Sequence, residues 1–226
     1  MNISTSISDE SEGLTLASIM DITEGTNSDS TGYSSVTDVL TSYDADGNVT
    51  GYTYTTDVTD ADGSSYSWTD SYDANWNLTQ STYSDSTGYS SVTTYITSFG
   101  GDGSVTGYTY TTSYTDADGS SYSWTDSYDA NWNLTQSTYS DSTGYSSVTD
   151  VLTSYDADGN VAGYTYTTNC TDADGLSYSW TDSYDANWNL TRSTYSDSTG
   201  YSSVTDVLTS YDADGNITGY TYTTSC

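Results

Sequence analysis

Between Ser64 and Asp73 the chain reads Ser64-Ser65-Tyr66-Ser67-Trp68-Thr69-Asp70-Ser71-Tyr72-Asp73. Tyr66, Trp68 and Tyr72 fall on one side of a two-residue period, and Ser65, Ser67, Thr69 and Ser71 fall on the other. Such alternation is the signature of a β-strand, whose successive side chains leave on opposite faces. Thr50, Tyr52, Tyr54 and Thr56 alternate in the same way with Gly51, Thr53 and Thr55. Tyr, Trp and Thr also suit a pleated surface. One face is therefore expected to be aromatic and packable, the other a carpet of hydroxyls.

The breaks between these runs carry hairpin chemistry. Asp44-Ala45-Asp46-Gly47 and Asp60-Ala61-Asp62-Gly63 place Gly where a type I turn followed by a left-handed residue requires it. Asp and Asn stabilise such turns by accepting from nearby backbone N–H groups. Four turns in each repeat leave strands of about 8 to 11 residues.

The string STGYSSVT begins at Ser30, Ser86, Ser142 and Ser198, so the period is 56 residues. Tyr43 to Thr50 returns 29 residues on as Tyr72 to Thr79, and after a further 27 as Phe99 to Thr106. The deeper unit is thus a half-repeat of about 28 residues, two strands and two turns. The expected organisation is an N-terminal half-unit at 1–29, repeats at 30–85, 86–141 and 142–197, and a half repeat at 198–226. The first segment holds all three Glu (Glu10, Glu12, Glu24) with Ile3, Ile7, Leu14, Leu16, Ile19, Met20 and Ile22. It is expected to be a degenerate capping unit, or a segment that completes the last half-unit of another copy. The fold class expected is all-β, tandem repeats forming an elongated antiparallel hairpin strip. A parallel β-solenoid with one 56-residue coil per period is the alternative.

Tyr43-Asp44-Ala45-Asp46-Gly47-Asn48-Val49, Thr59-Asp60-Ala61-Asp62-Gly63 and Tyr72-Asp73-Ala74 together resemble the YD-repeat (Rhs-like) proteins. The resemblance implies a long antiparallel strip of strands and turns, of the kind that winds into spirals or shells on cell surfaces and in toxin complexes. Trp76 stands where that family places Gly, and no enclosed toxin or autoprotease segment accompanies the repeats. Only the strand-and-turn pattern carries over.

Acidic residues outnumber basic ones 32 to 1, for a net charge of −31, with no His and no Pro. Arg192 is the only cationic side chain. Low aliphatic content with high charge is the usual mark of disorder, but the abundant aromatics and the alternation oppose that reading. Nucleic acid and anionic lipid are excluded as partners, since both require clustered Lys and Arg. No stretch is long and apolar enough to span a bilayer as a helix. Met1 to Ser30 lacks the basic and apolar regions of a standard signal peptide.

Without His or Lys, and with Cys only at 170 and 226, the usual catalytic bases and nucleophiles are missing, and an enzyme is not expected. Asp-x-Asp-Gly at Asp44/Asp46, Asp60/Asp62, Asp116/Asp118, Asp156/Asp158, Asp172/Asp174 and Asp212/Asp214 supplies paired oxygen ligands before a tight turn. These are candidate Ca²⁺ ligands, although the repeats hold no Glu for the bidentate position of an EF-hand. The competing reading is turn geometry and solubility.

Asn48, Asn77, Asn133, Asn189 and Asn216 begin Asn-x-Thr sequons just past turns and are candidate glycosylation sites, as are Asn2 and Asn169. Rows such as Thr53-Tyr54-Thr55 could order water on an ice-binding face, or could simply suit strands. Cys170 and Cys226, one period apart, are a candidate disulfide. Within one molecule that bond would favour a coil; between molecules it would mark a junction. The expected function is an extracellular or cell-surface structural protein that associates with copies of itself, head to tail, into a fibre or surface layer. The alternative is a Ca²⁺-dependent adhesin stalk, or an ice- or glycan-binding sheet.

Overall fold

The computed structural model describes residues 3–4, 21–214 and 216–226. Every element is a strand. A short β1 (Ile3–Ser4) and β2 (Asp21–Ser28) precede the first repeat, which holds β3 (Ser34–Tyr43), β4 (Val49–Thr59), β5 (Ser65–Asp73) and β6 (Leu78–Asp85). The second holds β7 (Ser90–Phe99), β8 (Val105–Thr115), β9 (Ser121–Asp129) and β10 (Leu134–Asp141). The third holds β11 (Ser146–Tyr155), β12 (Val161–Thr171), β13 (Ser177–Asp185) and β14 (Leu190–Asp197), and β15 (Ser202–Tyr211) and β16 (Ile217–Ser225) follow.

Strands lie in the sheet in the order they hold in the chain. The registered neighbours are antiparallel, as β4 with β5 and β12 with β13. This is the hairpin strip, and the parallel solenoid is overturned. Five-residue turns return the chain directly beside itself, whereas parallel pairing needs a long crossover that no repeat contains. By compactness the chain divides into one unit of Met1–Ile96 with Tyr110–Ser121 and another of Thr97–Thr109 with Tyr122–Cys226. In the first, β2 pairs along β3 from Asp21↔Thr41 to Ser28↔Ser34. Its position matches that of β6 beside β7. The cap or joining role expected of 1–29 falls mainly on residues 5–20, outside the described residues, as does the sequon at Asn2.

Register confirms the two faces. Tyr52↔Tyr72, Thr56↔Trp68 and Val58↔Tyr66 pair across β4 and β5, and Trp68↔Tyr83 continues the row into β6. The opposite face carries Thr53↔Ser71, Thr55↔Thr69 and Ser67↔Ser84. Hydroxyls bridge strands on both faces: Thr55 to Thr69 at 3.0 Å, and Thr37 to Thr56 at 3.0 Å. Cross-strand pairs of this kind are the unit of sheet stabilisation, each worth roughly 0.2–1 kcal/mol.

Within each unit, and among the described residues, contacting strands are hydrogen-bonded neighbours and no second layer covers the sheet. Among the described residues no large side chain is completely withdrawn from water, and the buried apolar residues are Val58, Cys170 and Val207. Aromatic rings do the work that an aliphatic core does elsewhere, each removing a large area while staying partly wet.

The turns repeat one bonding plan. In 44–48, Asp44 N–H donates to the Asn48 carbonyl at 2.8 Å and Gly47 N–H donates to the Asp44 carbonyl at 3.1 Å. Gly47 sits at φ 83°, and nine further turn glycines share that left-handed region. A different constraint acts at Gly51, which is buried beside β5. A Cβ there would stand 2.5 Å from the Tyr72 carbonyl oxygen, so the close backbone approach itself demands Gly.

Candidate functional site

The turn between β5 and β6, Asp73-Ala74-Asn75-Trp76-Asn77, follows the same plan with one departure. Asp73 N–H donates to the Asn77 carbonyl at 2.9 Å and Trp76 N–H to the Asp73 carbonyl at 3.1 Å. Trp76 therefore occupies the place that Gly47 holds in its turn, at φ 65°. Left-handed backbone costs a residue with a Cβ about 1–2 kcal/mol. Trp132 and Trp188 adopt the same φ of 65° in the equivalent turns.

What holds the backbone there is visible on both sides of the turn. Asp73 Oδ1 accepts from Asn75 N at 2.8 Å and Asn77 N at 2.9 Å, and its Oδ2 accepts from Asn77 Nδ2 at 2.8 Å. The Asn77 side-chain bond, with the backbone N–H groups, holds the Asp73 carboxyl below the usual carboxylate range despite some desolvation. The Asn133 side chain does the same for Asp129.

The indole then folds onto the aromatic face. Trp76 lies parallel to Tyr52, centroids 3.9 Å apart at 17°, with Tyr54 and Tyr72 tilted against it at 6.1 and 6.0 Å. Trp132 on Tyr108 (3.9 Å, 13°) and Trp188 on Tyr164 (4.1 Å, 16°) repeat the stack. Such pairs are worth about 0.5–1.5 kcal/mol beyond the area they bury. The stack and the backbone cost are thus of similar size. Trp76 remains 53% exposed and Trp188 55%, so about half of each indole surface stays in water. Each repeat thereby presents a rigid, solvent-facing indole backed by a tyrosine.

The candidate calcium ligands are placed in turns. Asp44 Oδ1 accepts from Asp46 N (3.0 Å) and Asn48 N (2.8 Å). Asp156 and Asp212 bond Asp158 and Asp214 N, and Asn160 and Asn216 N, in the same way. Asp172 takes Asp174 N and Leu176 N. Where Ser takes the fifth place, at 64 and 120, the bonding passes mainly to the nearer carboxylate, although Ser120 Oγ also reaches Asp116 Oδ2 at 3.4 Å. Asp62, two residues after Asp60, accepts from Ser64 N and Oγ, and Asp118, two after Asp116, from Ser120 N and Oγ. Among the described residues no three acidic or cysteine side chains converge on one point. These carboxylates have turn-forming work, and the structure brings none of the pairs into a common cage.

Of the candidate glycan acceptors, Asn48, Asn77, Asn133 and Asn216 are exposed and Asn189 is half-buried. Their amides are already engaged, each donating to the first Asp of its own turn, as Asn133 to Asp129 at 2.8 Å. Asn189 Nδ2 also donates to the Tyr211 hydroxyl at 3.0 Å. The hydroxyl face is not a continuous lattice for ice, since Val92, Ile96, Leu152 and Leu208 emerge on it among the threonines.

The intramolecular disulfide between Cys170 and Cys226 is not formed, and both thiols are free. Cys170 lies in β12 and Cys226 follows β16, four strands on. Strands about 4.8 Å apart put such positions roughly 19 Å apart, far beyond disulfide reach. Cys170 instead fills the buried site that Val58 fills in the first repeat, both 3% exposed. Its sulfur lies 3.3 Å from the Tyr145 hydroxyl, and that contact, with burial behind it, pushes the tyrosine up to about 12.

Sequence reasoning marked Trp76 only as a departure from Gly. A large aromatic in a place that every other turn reserves for φ > 0 was the available signal. The Tyr145–Cys170 contact had none, since 25 residues separate the pair.

No protein-family model matches this chain, and no curated protein matches it. Among solved structures it is similar to a porin-like protein from Bacteroides uniformis, at 14% identity over 91% of this chain and 92% of that one, with a TM-score of 0.26. A likeness of that strength carries no inference about what this chain does.

Proposed function

We propose that this chain is a non-catalytic extracellular structural protein whose copies join head to tail, edge strand to edge strand, into a fibre or surface layer. The observation that carries the reading is the open sheet built of near-identical repeats: β4 and β12 carry almost the same sequence and pair with β5 and β13 in the same register. A sheet held by repeated backbone pairing can add a strand from another copy through the same donors and acceptors. A second copy would continue the sheet in a register the chain already uses.

The charge fits the same reading. A net charge of −31 keeps separate molecules soluble and makes association depend on cations, divalent ones above all. Electron microscopy of the purified chain across a salt series, with and without EDTA, tests the proposal. Filaments or sheets that form as salt rises are expected. Discrete monomers at every salt concentration would sink it.

A further inference from the structure

Beyond any assembly role, we propose that the indoles of Trp132 and Trp188 within the second unit form a binding platform for neutral polysaccharide, with Trp76 a like site within the first, one pyranose ring stacking its apolar C–H face on each exposed indole. The first support is local conformation. Among the described residues ten turn glycines take a positive φ, and only these three turns force a residue with a side chain into that region. A fold that needed only the turn would use Gly here as it does at Gly47 and Gly63. Strain kept in this way collects at functional positions.

The second support is orientation. Each indole is clamped flat on a tyrosine, at 17°, 13° and 16°, which fixes it without covering it. About half of each residue's surface is left in water. Rigid aromatic side chains lose little entropy on binding, which is why they anchor recognition surfaces.

The third support is the chemistry around the ring. An acidic polysaccharide would meet like charge. A neutral sugar is indifferent to that charge, whereas an organic cation would be drawn by it and its binding, unlike the sugar's, would weaken as salt rises. Within the second unit, Trp132 and Trp188 occupy equivalent turns four strands apart, roughly 19 Å at the usual strand spacing. Regular repetition suits a polymer, because linked weak sites gain avidity without new contacts.

The test is depletion of the full-length chain from solution by microcrystalline cellulose, chitin and insoluble mannan, with tryptophan fluorescence followed during titration with the soluble β-glucan laminarin. Binding to at least one of these, unchanged by salt, is expected. The triple variant Trp76→Gly/Trp132→Gly/Trp188→Gly should bind roughly tenfold or more weakly. Gly is the residue these turns otherwise use, so the fold should be kept; circular dichroism checks this, and Tyr52→Leu/Tyr108→Leu/Tyr164→Leu, which removes only the backing ring, provides a second variant. Absence of depletion by all four glycans would overturn the proposal. So would undiminished binding in a folded triple variant, or a fluorescence response confined to tetramethylammonium chloride.

Discussion

The ring of Trp76 lies 3.9 Å from that of Tyr52 and nearly parallel to it, although Trp76 belongs to a turn and Tyr52 to a strand two hairpin arms earlier. The contact exists because β4 pairs with β5 in the register Tyr52↔Tyr72, which brings the 73–77 turn over the end of β4. A left-handed backbone then aims the indole back across the sheet. One side chain so joins turn geometry, strand register and the aromatic face.

That arrangement separates backbone strain from stacking by experiment. Trp76→Gly and Trp76→Ala both delete the stack, but only Ala keeps a Cβ in the left-handed region. Trp76→Ala should therefore be the less stable of the two by about 1–2 kcal/mol in urea unfolding. Equal stabilities would show that the turn relaxes away from the positive φ when the indole is removed.

Gly51 and Gly219 occupy the same place in the period and should answer differently to mutation. Gly51→Ala drives a Cβ to 2.5 Å from the Tyr72 carbonyl oxygen, a backbone atom that cannot swing aside. A loss of about 1–3 kcal/mol is expected. Gly219 has nothing within 4 Å of such a Cβ, so Gly219→Ala should change stability by no more than about 0.5 kcal/mol. Thermal melts of the two variants side by side check the contrast, and matching losses would contradict the register of β4 on β5.

Thiol reactivity should report the separation of the cysteines. Cys226 is exposed and should react with Ellman's reagent at once, while buried Cys170 should react only on unfolding. Any disulfide formed on oxidation should run between molecules through Cys226, visible as a dimer on a non-reducing gel. A monomer with no free thiol would mean that the four-strand separation is wrong.

Acid should melt the turns before the sheet. Hydrogen bonds from Asn48, Asn77 and Asn133 hold Asp44, Asp73 and Asp129 below their ordinary values. A carboxyl whose folded pKa is depressed lends stability above its unfolded pKa, near 3.9, and loses it as pH falls through the folded value. The thermal midpoint should thus fall as pH drops below about 4. At neutral pH the opposing influence is self-repulsion, so raising NaCl from about 10 mM to about 0.5 M should raise the midpoint. Melts that are flat in both acid and salt would refute the roles given to these carboxylates.

Much of the fold was legible beforehand. Serine between aromatics from Ser65 to Tyr72 announced a strand with unequal faces, and Asp-x-x-Gly at 44–47 announced its turn. The candidate site was legible only as an anomaly, Trp76 where Gly was due. Its Tyr52 partner lies 24 residues back and is reached only through strand pairing. The spacing of Cys170 and Cys226 was legible only conditionally, since equal spacing in the chain means adjacency in a coil and wide separation in a hairpin strip.

Strand, turn and period follow from the sequence alone, because side-chain alternation and the φ > 0 demand of a tight turn are local properties that act over a few residues. Which strand lies beside which, that Gly51 must stay bare, that Cys170 packs against Tyr145, and that Trp76 stands half in water on Tyr52 were decided by tertiary structure. Those outcomes depend on register, and register is chosen by the summed contacts of whole strands rather than by any one residue within them.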